Sequence, residues 1–453
     1  MNYLSRILAL SLLAACAASP ASADAARSLK IGVLNDASGP YSDNAGEGSV
    51  TAAKMAAEDF MRLHPDFRVE IVSADHQNKA DVGAAIARRW IGQEKVDAVA
   101  DVPNSAVGLA VNEVVRGTKA ALIASSAASS DLTGKYCSPN TIQWTFDTWA
   151  ASHTIGAYLV RHGGTKWYFI ATDNALGKSM VRDGTAVIGA GGGSVLGSVN
   201  VPINNADYAS FILQADGSGA DVIAFATAGG DTVSLIKQSA EFGLKQSGRI
   251  FAALLTTTND VESSGLAVGE GLIITQPFYW DLNDASRAWS ARFSERQHGQ
   301  SPTAFHAGVY SSVLAYLNAA QAVGTNDAQA VIRKLKENPI DDALFGPVVV
   351  RADGRAIHNM YIFKRRARMR RRANGICSSR SACSRARRRF GRSTRAVAPS
   401  SSHRRAIDDD GRERRSTFLK TYGCLTCWIS WKPNFPSTRL VRPARRGRLR
   451  ESG

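Results

Sequence analysis

The sequence predicts an α/β protein built on doubly wound parallel sheets. Short runs rich in β-branched and aromatic residues alternate with segments of helical periodicity, and the connections between them are short. Polar residues and glycines gather where the predicted strands end. Ligands of such proteins bind beyond the carboxyl ends of the strands. We therefore expect a binding site in the strand-to-helix loops.

The alternation begins at residue 29. LKIGVLND is the first predicted strand, and the segment 46–63 carries apolar residues at near-helical spacing from Val50 to Phe60. FRVEIVSAD, VDAVADV and KAALIASS continue the series of strands, while ADVGAAIARRWIGQE and NSAVGLAVNEVVRGT have the helical pattern. This part of the chain predicts one parallel sheet covered by helices.

The same alternation resumes after Trp144. KWYFIATD, GSVLGSVNVP, ADVIAFATAGG and GRIFAALL are predicted strands, and helical segments such as GKSMVRDGTAVIGAGG and DTVSLIKQSAEFG separate them. The glycine run at 189–197 follows a helix and precedes a strand. That order is the reverse of a phosphate-binding loop, so we expect the run to end a helix.

The loops that follow the strands suit a small ligand with a polar head. They read NDASGPYSDNAG, DVPNSA, ASSAASSD, ATDNALG and ATAGGD. Hydroxyls, backbone N–H groups and helix N-termini bind carboxylates well, and nearby aromatic rings pack against an apolar body. Taken singly, each Ser or Gly is equally explained as a helix cap or a turn. Five such loops at equivalent strand ends favour a shared site.

The charge of the chain is divided between two dissimilar parts. The formal net charge is +16, but 27 of the 55 Lys and Arg residues and only 5 of the 39 Asp and Glu residues lie at 364–453. The preceding 363 residues are mildly acidic, with 28 basic and 34 acidic residues. The tail opens with FKRRARMRRR, a pattern that is typical of nucleic-acid-binding arms.

The amino terminus is predicted to be an export signal, residues 1–23. Arg6 precedes the apolar run ILALSLLAA, and the small residues ASA form a cleavage site before Asp24. Nine apolar residues are too few to cross a bilayer. An alternative is a lipoprotein signal in which Cys16 of LAAC is acylated. Either alternative places the body of the protein outside the cytoplasm.

Motifs of common enzyme classes are not found in the body of the sequence. It has no GxSxG, no P-loop, no HExxH and no CxxC pair, so we predict no catalytic residue, no metal and no cofactor. His76 lies in a strand-to-helix loop and is predicted to be a loop or capping residue. Cys137 is the single cysteine between residues 24 and 363. A hydrolase with a serine nucleophile lacks a His/Asp partner pattern.

Six stretches resemble a known family in the expected order. They are IGVLNDASGPYSDNAGEGSVTAAKMAAEDF, VSADHQNKADVGAAIARRW, SSDLTGKYCSPNTIQWTFDTWA, AGGDTVSLIKQSAEFG, QPFYWDLNDASRAW and LFGPVVVRADGRAIHNMYIF. Together, from 29 to 363, they resemble the branched-chain amino-acid-type substrate-binding proteins of ABC transporters, which have the type I periplasmic binding protein fold.

The resemblance implies two doubly wound Rossmann-like lobes that a three-strand hinge joins. The crossovers are expected near 144–146, 278–280 and 353–358. Lobe 1 would then comprise 29–145 plus 279–350, and lobe 2 would comprise 146–278 plus 351–363. The resemblance further implies a component of an ABC importer that closes on its solute and works in the periplasm as a monomer with a membrane permease and its ATPases.

The resemblance also implies a set of ligand contacts. From lobe 1 they are Tyr41, Ser105, Ser126, Ala128 (through its backbone) and Ser129; from lobe 2 they are Phe146, Asp147, Asp173, Asn174, Gly229, Asp231 and Thr257; Tyr279 lies at the second crossover. Ala228 replaces an expected tyrosine, and Asp231 is the nearest acid for an α-amino group. The ligand is therefore left open among a small carboxylate, an amino acid, an aromatic acid and an amide. Aromatic residues near the crossovers would either form a slot for an aromatic ligand or pack the hinge.

The tail departs from the family pattern directly after Phe363. Its text is rich in Arg and Ser, has only 3 Lys and shows no helical or strand period. We interpret 364–453 as a disordered product of a frameshift near codon 364, which sequencing of the DNA would test. Under this interpretation the chain has lost a family-like ending, including a cysteine that would be the natural partner of Cys137, and the product is non-functional if the loss unfolds it. The alternatives are a nucleic-acid-binding arm, which the export signal disfavours, and a basic membrane patch.

Overall fold

The computed structural model describes residues 27–243, 247–265, 268–365 and 422–425. The predicted export signal, including Cys16, and most of the basic tail lie outside these residues. The described chain forms two lobes, each built on a sheet whose strands are mostly parallel. The predicted fold class is confirmed.

Lobe 1 contains the first sheet. Its strands are β1 (Arg27–Asn35), β2 (Phe67–Asp75), β3 (Ala98–Asp101), β4 (Ala121–Ala124) and β5 (Thr141–Gln143), and its first helices are α1 (Gly46–Leu63), α2 (Ala80–Gly92) and α3 (Ser105–Val115). The strand order is β2-β1-β3-β4-β5, and every pairing is parallel. Successive strands are added on one side of β1 and then, from β3 onwards, on its other side, so a crevice opens at the carboxyl ends of β1 and β3.

Lobe 2 contains the second sheet. Its strands are β6 (Lys166–Thr172), β7 (Ser194–Val201), β8 (Val222–Ala226), β9 (Ile250–Ala253) and β10 (Ile273–Gln276), and its helices are α4 (Thr148–Arg161), α5 (Ala175–Ala190), α6 (Ala209–Gly217), α7 (Gly230–Glu241) and α8 (Thr258–Ser263). The order of these strands is β10-β9-β8-β6-β7. Helix α5 ends at Ala190 and Gly191 follows it, as the glycine run predicted.

The chain then returns to lobe 1 and leaves it again. Helices α9 (Asp284–Arg296) and α10 (Ala304–Val323) pack against α1, and α11 (Ala328–Glu337) packs against α10. Strands β11 (Ile340–Asp342), β12 (Gly346–Val350) and β13 (Ala356–Ile357) form a small antiparallel sheet. Strand β14 (Tyr361–Arg365) joins the lobe 2 sheet beside β10, and β15 (Tyr422–Leu425) pairs with its outer edge.

The two lobes are thus connected by three passages of the chain. They lie between β5 and α4, between β10 and α9, and between β13 and β14. Trp144 and Phe278, in the first two passages, have no exposed surface. The exact lobe boundaries stay predictions. Within the described ranges, no helix is long and apolar enough to cross a membrane.

Candidate ligand-binding site

The loops at the facing ends of the two sheets contact each other directly. The N–H of Gly230, at the start of α7, donates a hydrogen bond of 3.1 Å to the carbonyl oxygen of Pro40 in the loop after β1. Gly229 makes this approach close, because a Cβ placed on it would lie 2.3 Å from the same oxygen. Its φ of +58° also favours glycine. The cleft between the lobes is therefore closed at this point.

Tyr41, Asn174 and Asp231 meet beside this contact. The hydroxyl of Tyr41 is buried, hydrogen-bonded to Asn174 and close to the Asp231 carboxylate; burial first, and then that charge, raises the pKa of Tyr41. One oxygen of Asp231 accepts hydrogen bonds from Tyr208 (2.8 Å) and from the N–H of Asn204 (3.0 Å). Its other oxygen is buried without a hydrogen-bond partner, and burial raises the pKa of this carboxyl.

The predicted serines of lobe 1 also lie together. Ser105 begins α3, and its Oγ accepts a hydrogen bond of 3.1 Å from the N–H of Ser129. The hydroxyl of Ser129 bonds that of Ser179 on α5 of lobe 2 at 2.6 Å. The backbone of Ala128 accepts a hydrogen bond of 2.8 Å from the N–H of Thr148. These residues form a surface rich in hydroxyl groups, and Ser129 and Ala128 contact lobe 2 directly.

Ser126 has a partner that the sequence did not indicate. Its Oγ bonds Oδ1 of Asp101, and its N–H donates 3.0 Å to the carbonyl oxygen of Asp101. Asp101 is fully buried. Burial raises the pKa of Asp101 to about 7, although hydrogen bonds from Ser126 and from Ser49 lower it. Asp101 and Val102 both have positive φ values, 77° and 59°.

Two further sets of hydrogen bonds join the lobes. Thr257, which caps α8, donates 3.0 Å to Oδ1 of Asn44, while the amide of Asn44 donates 2.9 Å to Asp260. At the other rim, Asp183 of α5 accepts 2.6 Å hydrogen bonds from Ser130 and from Thr148.

Arg182 adds to the contacts at that rim. Its guanidinium donates 2.6 Å hydrogen bonds to Asp131 and to Ser130, both in the loop after β4. Hydrogen bonds therefore connect the two lobes at both rims of the cleft.

Four of the predicted ligand contacts have other partners. Asp147 caps α4 through the N–H of Ala150 and pairs with Arg355 at 2.7 Å, so both of its oxygens are engaged. Phe146 packs edge-on against a phenylalanine ring of α10, and Tyr279 packs against Phe363 in the lobe 2 core. Asp173 is exposed and pairs with a lysine of its own lobe. These environments favour the hinge-and-core interpretation of the two aromatic rings.

One trio has the composition of a metal site. Donor atoms of Asp36, Asp75 and His76 lie within 4.8 Å of one another. Both oxygens of Asp36 already accept backbone N–H groups, and Nδ1 of His76 accepts the N–H of Asn78 at 3.0 Å. In a neutral imidazole this bond leaves the proton on Nε2, where a metal would need a lone pair. The donor set therefore fits a structured loop better than a metal site.

Sequence reasoning missed several residues of this interface. Asn44 and Asp260 are 216 positions apart, and Asp183 belongs to the middle of a helix. Asp101 lies in DVPNSA, one of the loops that were singled out for their polar residues. A carboxylate at a strand end is the one signal that could have drawn attention to it.

Known proteins resemble this chain over most of its described length. Residues 28–368 match the family model described as periplasmic binding protein. A periplasmic binding protein from Burkholderia mallei is 39% identical, with a TM-score of 0.72 and coverage of 75% of this chain and 90% of that one. A branched-chain amino acid ABC transporter periplasmic ligand-binding protein from Burkholderia xenovorans LB400 is 34% identical, with a TM-score of 0.66 and the same coverages.

A curated relative matches over a shorter stretch. The Leu/Ile/Val-binding protein homolog 6 of Brucella melitensis is 27% identical over 253 residues, which is 55% of this chain. This chain spans 63% of the length of that relative. The extent of the family match, together with the two-lobed fold, shows that the chain belongs to the periplasmic binding protein family.

Proposed function

We propose that the protein is the solute-binding component of an ABC importer and captures a small ligand between its two lobes. The observation that carries the proposal is the contact between the Pro40 carbonyl of lobe 1 and Gly230 of lobe 2, at the carboxyl ends of both sheets. A ligand in this position touches both lobes at once, so it stabilises the closed arrangement over the open one.

The polar groups around the cleft define the ligand class. Ser105, Ser126 and Ser129 supply hydroxyls from lobe 1, and helix α7 presents its N-terminus from lobe 2. Such groups suit a carboxylate or an amide oxygen. The unpartnered oxygen of Asp231 would accept a ligand ammonium or amide N–H. A small carboxylate, an amino acid, an aromatic acid and an amide all satisfy this set.

Export and partners follow from the same proposal. Residues 1–23 would direct the chain to the periplasm, with Cys16 as the site of an alternative lipid anchor. A permease with its ATPases would recognise the closed form, and the protein would act as a monomer that needs no cofactor. The nucleic-acid alternative depends on a tail that lies almost entirely outside the described residues.

A ligand screen tests the proposal. The chain from residue 24 to 453 is heated with L-leucine and other amino acids, with benzoate and other aromatic acids, and with small amides. A true ligand at 100 times its Kd should add about 2.7 kcal/mol to the free energy of unfolding. If the chain unfolds cooperatively and no compound of any class stabilises it, the proposed function is wrong.

A further inference from the structure

Asp101 occupies the point of lobe 1 where a ligand is expected. It ends β3 next to β1, where the winding of the sheet changes direction. Ser126 follows the neighbouring strand β4. It is joined to Asp101 by a backbone hydrogen bond of 3.0 Å and by a hydrogen bond between the two side chains. The crevice at such a switch point is the usual binding place in doubly wound sheets.

The hydrogen-bond direction of Ser126 depends on the charge of Asp101. A serine hydroxyl has one proton, and an ionised carboxylate can only accept. While Asp101 is ionised, Ser126 must give its proton to Oδ1, and it offers only lone pairs to a ligand. When Asp101 is neutral, its own acid proton can go to Ser126, and the serine proton is then free for a ligand.

The surroundings of Asp101 favour the neutral form. Its side chain is fully buried, which is costly for a charged carboxylate. Asp36, directly after β1, is the charged group that faces it among the described residues, and it disfavours a second negative charge. Hydrogen bonds from Ser126 of the β4 loop and from Ser49 of α1 lower the pKa of Asp101, but burial and the charge of Asp36 outweigh them. Burial places its pKa at about 7, so both forms are accessible near neutral pH.

We propose that Asp101 is a positioning residue that sets the hydrogen-bond direction of Ser126 and couples the binding of a carboxylate ligand to the uptake of one proton. This inference rests on the proposed solute-binding function. A ligand carboxylate needs a donor from Ser126 and is repelled by an ionised Asp101, so it selects the neutral acid. An amide N–H or an ammonium group facing Ser126 would select the ionised form and reverse the effect of pH.

Calorimetry in two buffers of different ionisation enthalpy tests the inference. The exported chain, residues 24–453, is titrated with benzoate and with L-leucine, whose carboxylates stay ionised between pH 5.5 and 8.5. Proton uptake should rise from near zero at pH 5.5 to about 0.5 at pH 7 and about 1 at pH 8.5. Over the upper part of this range Kd should increase up to about tenfold per pH unit.

Two variants, one at each end of β3, test whether Asp101 is the group that takes up the proton. Asp101→Asn tolerates a positive φ and always offers an N–H to Ser126, so it should bind the same ligand with no proton uptake and with a Kd independent of pH. Asp97 lies at the opposite end of β3 and is also a partly buried acid. Asp97→Asn should keep the proton uptake of the unmodified chain.

The outcomes separate the inference from the function. Ligand binding without proton uptake, or with uptake that survives Asp101→Asn, overturns the inference and leaves the solute-binding function intact. Tighter binding of benzoate, which has no ammonium or amide group, at high pH also overturns it. If neither probe nor any other compound of the screen binds at any pH, both the function and the inference are wrong.

Discussion

Arg355 and Asp147 form a buried ion pair of 2.7 Å that joins the first connection between the lobes to the residue just before β13. Their side chains are only 3% and 7% exposed. Arg355 also donates 2.9 Å to the carbonyl oxygen of Trp144, and His358 contacts the same oxygen at 3.1 Å. Arg355 and His358, on either side of β13, therefore hold the first connecting segment against the start of the third.

Loss of this pair should destabilise the whole protein. Arg355→Met leaves the Asp147 carboxylate buried without its partner, and we expect the free energy of unfolding to fall by about 3–5 kcal/mol. Arg351→Met is the matched control, because its pair with Asp353 is 39% and 30% exposed and should contribute about 0–1 kcal/mol. Urea unfolding of both variants measures the difference. Equal losses would show that the buried pair has no special role in the hinge.

Gly229→Ala should prevent the lobes from closing. The new Cβ would lie 2.3 Å from the Pro40 carbonyl oxygen, so one loop must move away from the other. We expect Kd for the solute to rise about tenfold or more, which corresponds to about 1.4 kcal/mol. Gly219→Ala is the control for backbone strain, since Gly219 also has positive φ (76°) but open space around it. Isothermal titration of both variants checks the expectation, and an unchanged Kd in Gly229→Ala would contradict it.

Arg182→Ala should weaken closure without affecting folding. The variant loses the contacts of α5 with Asp131 and Ser130 across the cleft, but the Arg182 side chain is 48% exposed. The pair should thus contribute up to about 1 kcal/mol, a fivefold change in Kd at most. Lys178→Ala, on the same helix, removes a 2.9 Å ion pair to Asp173 that lies within lobe 2. Its Kd should not change. A larger effect of Lys178→Ala than of Arg182→Ala would contradict the proposed fastening.

Buried histidines should make the fold sensitive to acid. Burial lowers the pKa of His306 to about 4, and the same holds for His76. Between pH 6.5 and 4 the unfolded chain binds protons that the folded chain does not, so each histidine costs stability as pH falls, about 2 kcal/mol at pH 5. Buried carboxyls with raised pKa, such as Asp101, act in the opposite direction.

Because these two effects oppose each other in the unmodified chain, the effect of one histidine is measured by comparing the pH dependence of unfolding between variants. His306→Gln should lose about 2 kcal/mol less than the unmodified chain when urea unfolding is repeated at pH 5 instead of pH 7. The exposed His298→Gln serves as the control for the substitution itself. If His306→Gln shows the same acid loss as the unmodified chain, His306 is not held neutral in the folded state.

Local periodicity explains why the elements could be predicted. The segment 46–63 carries its apolar residues at helical spacing, and the structure has α1 at Gly46–Leu63. Helix α5 ends at Ala190, directly before a glycine. The residues before the glycine run have helical periodicity and those after it have the pattern of a strand, so the end of the helix could be predicted. Such signals depend on neighbours within a few positions, so one sequence contains them completely.

The hydrogen-bond partners of individual side chains could not be predicted from local patterns. The family resemblance implied that Asp147 touches the ligand, but Arg355, 208 positions later, binds the oxygen that is left free by the helix cap. The link between Asn44 and Asp260 spans 216 positions and has no local pattern. The thirteen predicted contacts stay a proposal, although several of them, such as Ser129 and Gly229, lie where the lobes meet.

The sequence by itself determined the class of the protein: an α/β chain of two lobes with polar loops at the strand ends, for which it also predicts export. The hydrophobic periodicity, the composition of the loops and the family-like motifs are properties of consecutive residues, so the sequence shows them directly. Only the tertiary structure decided which of those loops touch, that Arg355 pairs with Asp147, and that Asp101 is hydrogen-bonded to Ser126. These pairings arise because folding brings together residues from distant strand ends, and burial then fixes their partners and their charges.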